Sequence, residues 1–253
     1  MRLALTVLVF SACATAPRPA PSPAPLKAVV IVSANMEWKA VTARYPDARM
    51  VKTPWGDTFE REVSVAGQPT RVVFLHGGWG KVAAAGSAQY AIDRWHPRYL
   101  INLGTAGGFA GSIERHAIVL ADRTLIYDIK EAMGDSAEAI ADYATTIDLA
   151  WLTETPATVR KTLLVSGDRD LVPGELAELT TRYGAIAGDW ESGAIAYTAK
   201  RNGTRVLILR GISDLVHPAG GEAYGNLPLF VEGAAIVMRR LLDELPQWLA
   251  RCP

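Results

Sequence analysis

The sequence is poor in cysteine, and this shortage excludes disulfide-built and cysteine-ligated folds. Only Cys13 and Cys252 are present among its 253 residues, and we expect both to lie outside the core because they are close to the two ends of the chain. If Cys13 is removed or modified, no disulfide within the chain can form. No cysteine and histidine cluster has the spacing of metal ligands, so the sequence predicts no metal and no other cofactor.

The sequence also lacks an excess of charge of either sign. Twenty-six basic residues balance 26 acidic ones, whereas a surface that binds nucleic acid needs surplus Lys and Arg to neutralise phosphates. The balance therefore predicts a small-molecule partner and no nucleic acid. Within the expected folded region there is no apolar run of about 18 residues, so we predict no internal membrane span.

Residues 1–26 differ in composition from the rest. One arginine precedes an apolar run at residues 3–10, and a tract rich in Pro, Ala and Ser follows at residues 16–25. This layout is typical of a bacterial export signal followed by an extended spacer. Small residues before Cys13 are similar to a lipoprotein signal, in which Cys13 would carry the lipid anchor; the alternative is ordinary cleavage just after it. We expect an exported protein, either periplasmic or membrane-anchored.

Residues 27–253 are predicted to form a single catalytic domain. Apolar β-rich runs alternate with helical patterns there, which indicates an α/β three-layer sandwich around a mixed, mostly parallel twisted sheet. The predicted strands are residues 28–32, 49–52, 58–65, 71–75, 99–103, 163–166 and 206–212. The predicted helices are residues 81–95, 190–202 and 227–249. Residues 122–151 show no clear periodicity.

Two glycine-rich segments follow predicted strands. Residues 76–81 (HGGWGK) open a helix, and residues 102–108 (NLGTAGG) follow the strand at 99–103. Glycines let backbone N–H groups approach a ligand oxygen closely, and a helix N-terminus favours negative charge. The Thr105 hydroxyl is a candidate contact. The alternative is that both segments are tight turns without a ligand.

Two carboxylates lie where an α/β sheet binds ligands. Glu191 opens a small-residue helix, and burying its charge is costly unless it is paired, so we interpret it as an acceptor for sugar hydroxyls. The alternative is an acid that favours the first turn of its helix. Asp214 follows the apolar strand at 206–212 and could act as a general acid if an apolar pocket raises its pKa. Alternatively, Asp214 caps the next turn.

Five motifs occur in a fixed order, which is far more specific than any one of them. They are GWGKVAAA, INLGTAGG, VSGD, DWESGAIA and RGISD, beginning at residues 78, 101, 165, 189 and 210. The series resembles the purine nucleoside phosphorylase and uridine phosphorylase superfamily and is most similar to its methylthioadenosine/S-adenosylhomocysteine nucleosidase branch. The resemblance covers Ala28 to the final helix. It implies a nucleoside phosphorylase-like fold and hydrolysis of the N-glycosidic bond of a purine nucleoside to the free base and a ribose derivative.

The resemblance also implies roles for individual residues. Asp214 would protonate N7 of the purine with the help of Ser213, and Glu191 would hold the ribose 2′-hydroxyl. Trp190, in place of the usual Met, would lie against the sugar, and Arg210 behind it would orient Glu191. The remaining substrate-binding residues implied are Asp189, Gly78, Thr105 and Gly107. A homodimer is also implied, in which the partner chain closes the 5′ end of the pocket.

The base that activates water is displaced in this sequence. Nucleosidases use a glutamate in an Ala-Met-x-x-Glu pattern, and residues 33–37 here read SANME, so the nearest glutamate comes one place early. We assign Glu37 as the water-activating base. The alternative is a helix N-terminal acid that does not contact the substrate.

Two other functions remain open at this stage. A phosphorylase needs cations around its phosphate, and neither segment where the hexameric phosphorylases place arginines has one here, although Lys39 and His76 could partly compensate. A non-catalytic, exported nucleoside-binding lipoprotein is the second alternative.

Two departures from the family pattern leave the base and the 5′-group open. The sequence has Gly77 where the family has a serine. It has Asp170 near the family's base-stacking aromatic residue, for which Trp79, Trp190 or Tyr127 could substitute.

Overall fold

The apolar runs of the sequence form the central strands of the computed structural model, which describes residues 26–134 and 136–253. The strands are β1 (Ala28–Val32), β2 (Val51–Lys52), β3 (Asp57–Val65), β4 (Gln68–His76), β5 (Tyr99–Phe109), β6 (Ile118–Ile126), β7 (Thr145–Thr146), β8 (Arg160–Ser166), β9 (Ala187–Asp189), β10 (Arg205–His217) and β11 (Gly220–Gly221). The helices are α1 (Asn35–Arg44), α2 (Gly80–Trp95), α3 (Ala137–Asp142), α4 (Leu176–Tyr183), α5 (Ser192–Arg201) and α6 (Leu227–Arg251). The predictions of an export signal and of a lipid at Cys13 lie outside the described residues.

The sheet is mixed, as predicted, and its middle is parallel. Strand β1 pairs in parallel with β4 and β5, and β5 pairs in parallel with β10. Strands β6 and β8 form another parallel pair, while β3 runs antiparallel to β4 and β10 antiparallel to β6. Helix α1 packs with α6 and α2 with α5, so the predicted α/β architecture of sheet and covering helices is confirmed. Within the described ranges, no helix is both long and apolar enough to cross a membrane.

Strands β5 and β10 are longer than predicted, and this changes where two motifs lie. Residues 104–108, predicted as a loop, continue β5 because β10 pairs beside them up to Phe109. Asp214, predicted at a strand end, lies inside β10 instead, next to an irregularity in the pairing between Ile212 and Asp214. An irregularity of this kind re-aims a side chain without ending the strand.

The two ends of the domain are better packed than predicted. Leu26, predicted as part of the spacer, is buried in the core. Cys252, expected outside the core, is also buried there, and burial raises the pKa of its thiol to about 11. The sequence pattern missed both residues because each is an isolated apolar position next to a chain end.

Helix α6 lies directly on β10 because two glycines leave room at the contact. A Cβ atom at Gly211 of β10 would lie 2.3 Å from the Cβ of Val237 in α6. A Cβ atom at Gly233 of α6 would lie 2.2 Å from the carbonyl oxygen of Ser213. Any larger residue at either position would push the helix away from the strand that carries Asp214.

We therefore predict that Gly211→Ala lowers the free energy of unfolding by about 1–3 kcal/mol, the usual effect of overpacking a core. The matched control is Gly174→Ala, where an added Cβ meets no atom within 4 Å. Urea denaturation of both variants and the wild type measures the difference. Equal unfolding midpoints for the two variants would show that α6 and β10 are not in this close contact.

Candidate active site

A cavity of about 560 Å³ lies beside the carboxyl-terminal halves of β5 and β10. It brings together most of the residues that the sequence identified as a site: Glu37, Thr105, Gly107, Asp189, Trp190, Glu191, Ser213 and Asp214. Two predicted residues do not line it. Gly78 lies in the turn before α2, and Arg210 is fully buried beneath the cavity.

Arg210 is surrounded by three buried carboxylates. Its Nε is 2.8 Å from Asp189 Oδ2, and its other two nitrogens are 3.4 Å from Glu191 Oε2 and 3.8 Å from Glu37 Oε1. It also donates a 2.8 Å hydrogen bond to Asn102 Oδ1. One guanidinium therefore faces three acids, and the group as a whole has an excess of negative charge when all are ionised.

Asp189 was predicted to bind substrate, but its carboxylate is occupied by the protein. Oδ1 accepts hydrogen bonds from the Ser166 hydroxyl at 2.6 Å and from the Ser192 N–H at 3.2 Å. Oδ2 accepts from the Ser192 hydroxyl and lies against Arg210. Asp189 borders the cavity, and its contacts hold Arg210 in place.

Glu191 stands immediately before α5 and is buried. Its Oε1 accepts a 3.1 Å hydrogen bond from the N–H of Gly80, a residue at φ +78°, where glycine is favoured. Burial raises the pKa of Glu191 to about 8, Asp189 and Glu37 add to the rise, and Arg210 opposes it.

The glycine-rich turn at residues 78–81 binds the protein's own carboxylates. The N–H of Gly80 goes to Glu191, and the N–H of Lys81 donates to Asp168 Oδ1 at 2.7 Å. These two N–H groups at the start of α2 were candidates for a ligand oxygen. In the structure they connect α2 to the loops after β8 and β9.

Glu37 lies in the first turn of α1, directly after β1, and it also reaches the cavity. Its Oε1 accepts hydrogen bonds from the N–H and hydroxyl of Thr105, at 2.6 and 2.8 Å, and its Oε2 accepts from the Ala34 N–H at 3.0 Å. A carboxylate has about four acceptor sites, so one on Oε2 remains free. Thr105, predicted as a substrate contact, therefore fixes the orientation of Glu37.

Asp214 has the environment of a general acid. It is buried, and the Ser213 hydroxyl donates a 2.6 Å hydrogen bond to its Oδ1. Burial raises the pKa of Asp214 above its usual range, and the negative charges of Glu222 and Asp170 add to the rise while the Ser213 hydrogen bond opposes it. The carboxyl group thus keeps its proton at a higher pH than an exposed aspartate does.

Aromatic side chains form part of the cavity wall. Trp79 and Trp190 line it, as does Asp170, whereas Tyr127 does not. Tyr224 and Phe230 also line it, and the sequence analysis missed both. The available signal for Tyr224 was an aromatic residue among the glycines at 220, 221 and 225, shortly after the acid.

Gly77, where the related sequences have a serine, has no space for a side chain. A Cβ atom there would lie 2.7 Å from Ile31 Cγ2 and 2.9 Å from Ser87 Oγ. The missing hydroxyl is therefore matched by a closer packing of β1 against α2, and no other hydroxyl takes its place from this position.

The cavity offers little positive charge. Lys39 is exposed and His76 stacks on Trp38 at 5.2 Å, and neither lines the cavity. Arg169 is the one cation among the described lining residues, and it pairs with Glu175 at 2.5 Å. In the described part of the chain there is also no group of three or more His, Cys, Asp or Glu that could hold a metal ion.

Comparison with known proteins identifies the family. The model of the phosphorylase superfamily matches residues 27–245, nearly the whole described chain. The chain belongs to the phosphorylase superfamily. Its fold, sequence motifs and cavity can therefore be compared with those of other superfamily members.

Similar superfamily members include 5′-methylthioadenosine/S-adenosylhomocysteine nucleosidases. The one from Maridesulfovibrio salexigens is 31% identical over 67% of this chain and 79% of its own length. The one from Staphylococcus saprophyticus is 31% identical over 69% of this chain and 80% of its own. The crystal structure from Neisseria meningitidis, in complex with methylthio-immucillin-A, has a TM-score of 0.70 at 24% identity, covering 87% of this chain and 97% of that one, and shows the same fold.

The raised pKa of Glu191 predicts a pH dependence of stability. Because the folded pKa of about 8 lies above the ordinary value of 4.5, the folded protein binds more protons than the unfolded chain between these values. The free energy of unfolding should therefore fall as pH rises through this window, by at most about 1.4 kcal/mol per pH unit from this group. Glu191→Gln should make the fall shallower in urea denaturation.

The matched control is Glu178→Gln, since Glu178 is an exposed glutamate on α4. It should leave the pH dependence of the wild type unchanged. If Glu191→Gln and the wild type lose stability in parallel from pH 5 to 8, the carboxyl group of Glu191 does not hold a proton in this window.

Proposed function

We propose that this protein is a purine nucleosidase, which hydrolyses the N-glycosidic bond to give the free base and a ribose derivative. The observation that carries the proposal is the meeting, in one cavity, of a buried carboxylic acid and a second carboxylate with a free acceptor site. These are Asp214 and Glu37. The first can protonate a leaving group, and the second can take a proton from water.

Asp214 supplies the acid step. Its raised pKa keeps a fraction protonated near neutral pH, and the Ser213 hydroxyl fixes one of its oxygens. The other oxygen is available to protonate N7 of the purine, which makes the base a better leaving group. General-acid catalysis of this kind contributes about 10²–10⁴-fold to a rate.

The acids around Arg210 suit the sugar that the base leaves behind. As the glycosidic bond breaks, positive charge develops on the ribose, and fixed negative groups in a water-poor site stabilise it. Glu191 borders the cavity and has an oxygen that can accept a hydrogen bond from a ribose hydroxyl. Arg210 and Gly80 hold this carboxyl group in position from the protein side.

Glu37 is the proposed base for the attacking water. Three hydrogen bonds fix its carboxylate and leave one acceptor site on Oε2. Glu37 makes a contact within its own helix, through the Ala34 N–H, and it also lines the cavity. The two interpretations of this residue are therefore compatible: it caps the start of α1 while its carboxylate faces the substrate.

The surroundings favour water over phosphate as the nucleophile. Phosphate needs unpaired cations or free N–H groups, but Arg169 is paired with Glu175 and the N–H groups of Gly80 and Lys81 are bonded to carboxylates. The acids below the cavity would also repel an anion. Phosphorolysis is the second candidate function, and the chain has no observed feature that favours it over hydrolysis.

The relatives indicate the substrate class. Their names give 5′-methylthioadenosine and S-adenosylhomocysteine, and we propose a nucleoside of this kind for the present chain. The apolar side chains of Met36, Leu227 and Phe230 line the cavity and would suit a thioether group at the 5′ position. This support is chemical, because apolar side chains favour contacts with a sulfur-linked alkyl group over a charged one.

We predict phosphate-independent release of the base from 5′-methylthioadenosine, and a loss of about 10²–10⁴-fold in kcat for Asp214→Asn. The exposed Asp142 on α3 provides the matched control, since Asp142→Asn should keep wild-type rates. Base release is followed with and without phosphate, and circular dichroism checks the fold. Release that requires phosphate would indicate a phosphorylase, and binding without release would indicate a non-catalytic binding protein.

We also propose that the protein is an exported, lipid-anchored homodimer. The composition of residues 1–26 supports export and a lipid at Cys13, and the exposed apolar side chains of Trp79, Val82 and Leu227 support burial against a second copy. In a bacterial host, Cys13→Ser should move the protein from the membrane to the soluble fraction. Light scattering of that soluble protein should give twice the chain mass; membrane retention or a monomer mass would contradict the respective part.

A further inference from the structure

Tyr224 connects two walls of the cavity that are far apart in the sequence. Its hydroxyl lies 2.5 Å from the carbonyl oxygen of Leu171, and both residues line the cavity. Leu171 belongs to the loop after β8, whereas Tyr224 belongs to the segment between β11 and α6. This contact is a structural feature that the proposed reaction does not use.

The position of this contact is fixed by close packing on both sides. Beneath the Tyr224 ring, a Cβ atom at Gly221 would lie 2.6 Å from the ring carbons. The Leu171 side chain packs against Gly107 and Gly188, where a Cβ atom would lie 3.2 and 2.8 Å from its methyl groups. The hydroxyl and the carbonyl therefore meet in one arrangement.

The hydrogen bond has only one direction, because a carbonyl oxygen cannot donate. The single proton of the Tyr224 hydroxyl therefore points to Leu171, and the hydroxyl oxygen has only lone pairs left for a ligand. Burial raises the pKa of Tyr224, and the charges of Asp170 and Asp214 raise it further, so the hydroxyl stays protonated. The influence of Asp214 also places Tyr224 near the acid.

The groups around the acid are consequently acceptors. The Tyr224 hydroxyl oxygen, the Leu171 carbonyl and the Asp170 carboxylate all offer lone pairs, and the Ser213 proton is already donated to Asp214. Arg169, the nearby donor, is held by Glu175 and lies over the ring of Tyr127. On a purine, the ring position next to the N7 side is C6, which carries either an amino group or a carbonyl.

We propose that Tyr224 is a specificity-determining residue that selects 6-amino over 6-oxo purine nucleosides, an inference that rests on the proposed nucleosidase function. An amino group would donate to the hydroxyl oxygen. A carbonyl oxygen at the same place would face another acceptor, and both would remain unpaired, which a buried polar site rejects.

The test compares kcat/KM for 5′-methylthioadenosine and 5′-methylthioinosine in the wild type, Tyr224→Phe and Tyr143→Phe. The wild type should prefer the 6-amino substrate at least about tenfold. Tyr224→Phe should reduce this preference roughly 2- to 12-fold, the effect of one hydrogen bond, mainly through the KM of the 6-amino substrate. Tyr143→Phe removes a hydroxyl from an exposed tyrosine outside the cavity and should leave the preference unchanged.

A wild-type preference for the 6-oxo substrate, or an unchanged preference in Tyr224→Phe, would overturn the inference about Tyr224 and leave the nucleosidase function intact. If the wild type cleaves neither substrate, the proposed function fails, and calorimetric binding of adenine and hypoxanthine to the same three proteins decides the role of Tyr224. Tighter binding of adenine that weakens in Tyr224→Phe would support it. Equal affinities, or no binding, would overturn it.

Discussion

The burial of Arg210 among three carboxylates is the constraint on which the site depends. A fully buried guanidinium is tolerated only with close partners, and here Asp189 and Asn102 provide 2.8 Å contacts while Glu191 lies at 3.4 Å. Arg210 also lies four positions before Asp214 on the same strand, β10. The anchor of the sugar-binding acids and the acid that protonates the base are therefore held by one rigid element.

This strand is positioned by the packing of small residues on both of its neighbours. Strand β5 pairs with it along its length and carries Thr105, which orients Glu37 from α1. On the other side, Gly211 and Gly233 let α6 lie against β10. Since the groups are set by sheet pairing and helix packing, the geometry of the site depends directly on the stability of the core.

Features encoded locally were predictable from the sequence, and those set by distant partners were not. The run at 28–32 and the Ala-rich helix at 81–95 correspond to β1 and α2 because apolar content and periodicity are local signals. Asp214 was recognised as a candidate acid, yet its place inside β10 depends on pairing with β5, a strand about 100 residues away in sequence. The bond between Tyr224 and Leu171 is likewise long-range, and no periodic pattern indicates it.

The same long-range arrangement bears on the choice of nucleophile. Glu191, Asp189 and Glu37 place negative charge beneath the cavity, and the single buried cation, Arg210, is already shared among them. Such a site stabilises a ribosyl cation and repels a phosphate dianion at the same time, because both effects arise from one electrostatic potential. Water is uncharged and meets no such barrier. A carboxylate with a free acceptor site is then sufficient to activate it, so the electrostatics that assist bond cleavage also direct the reaction toward hydrolysis.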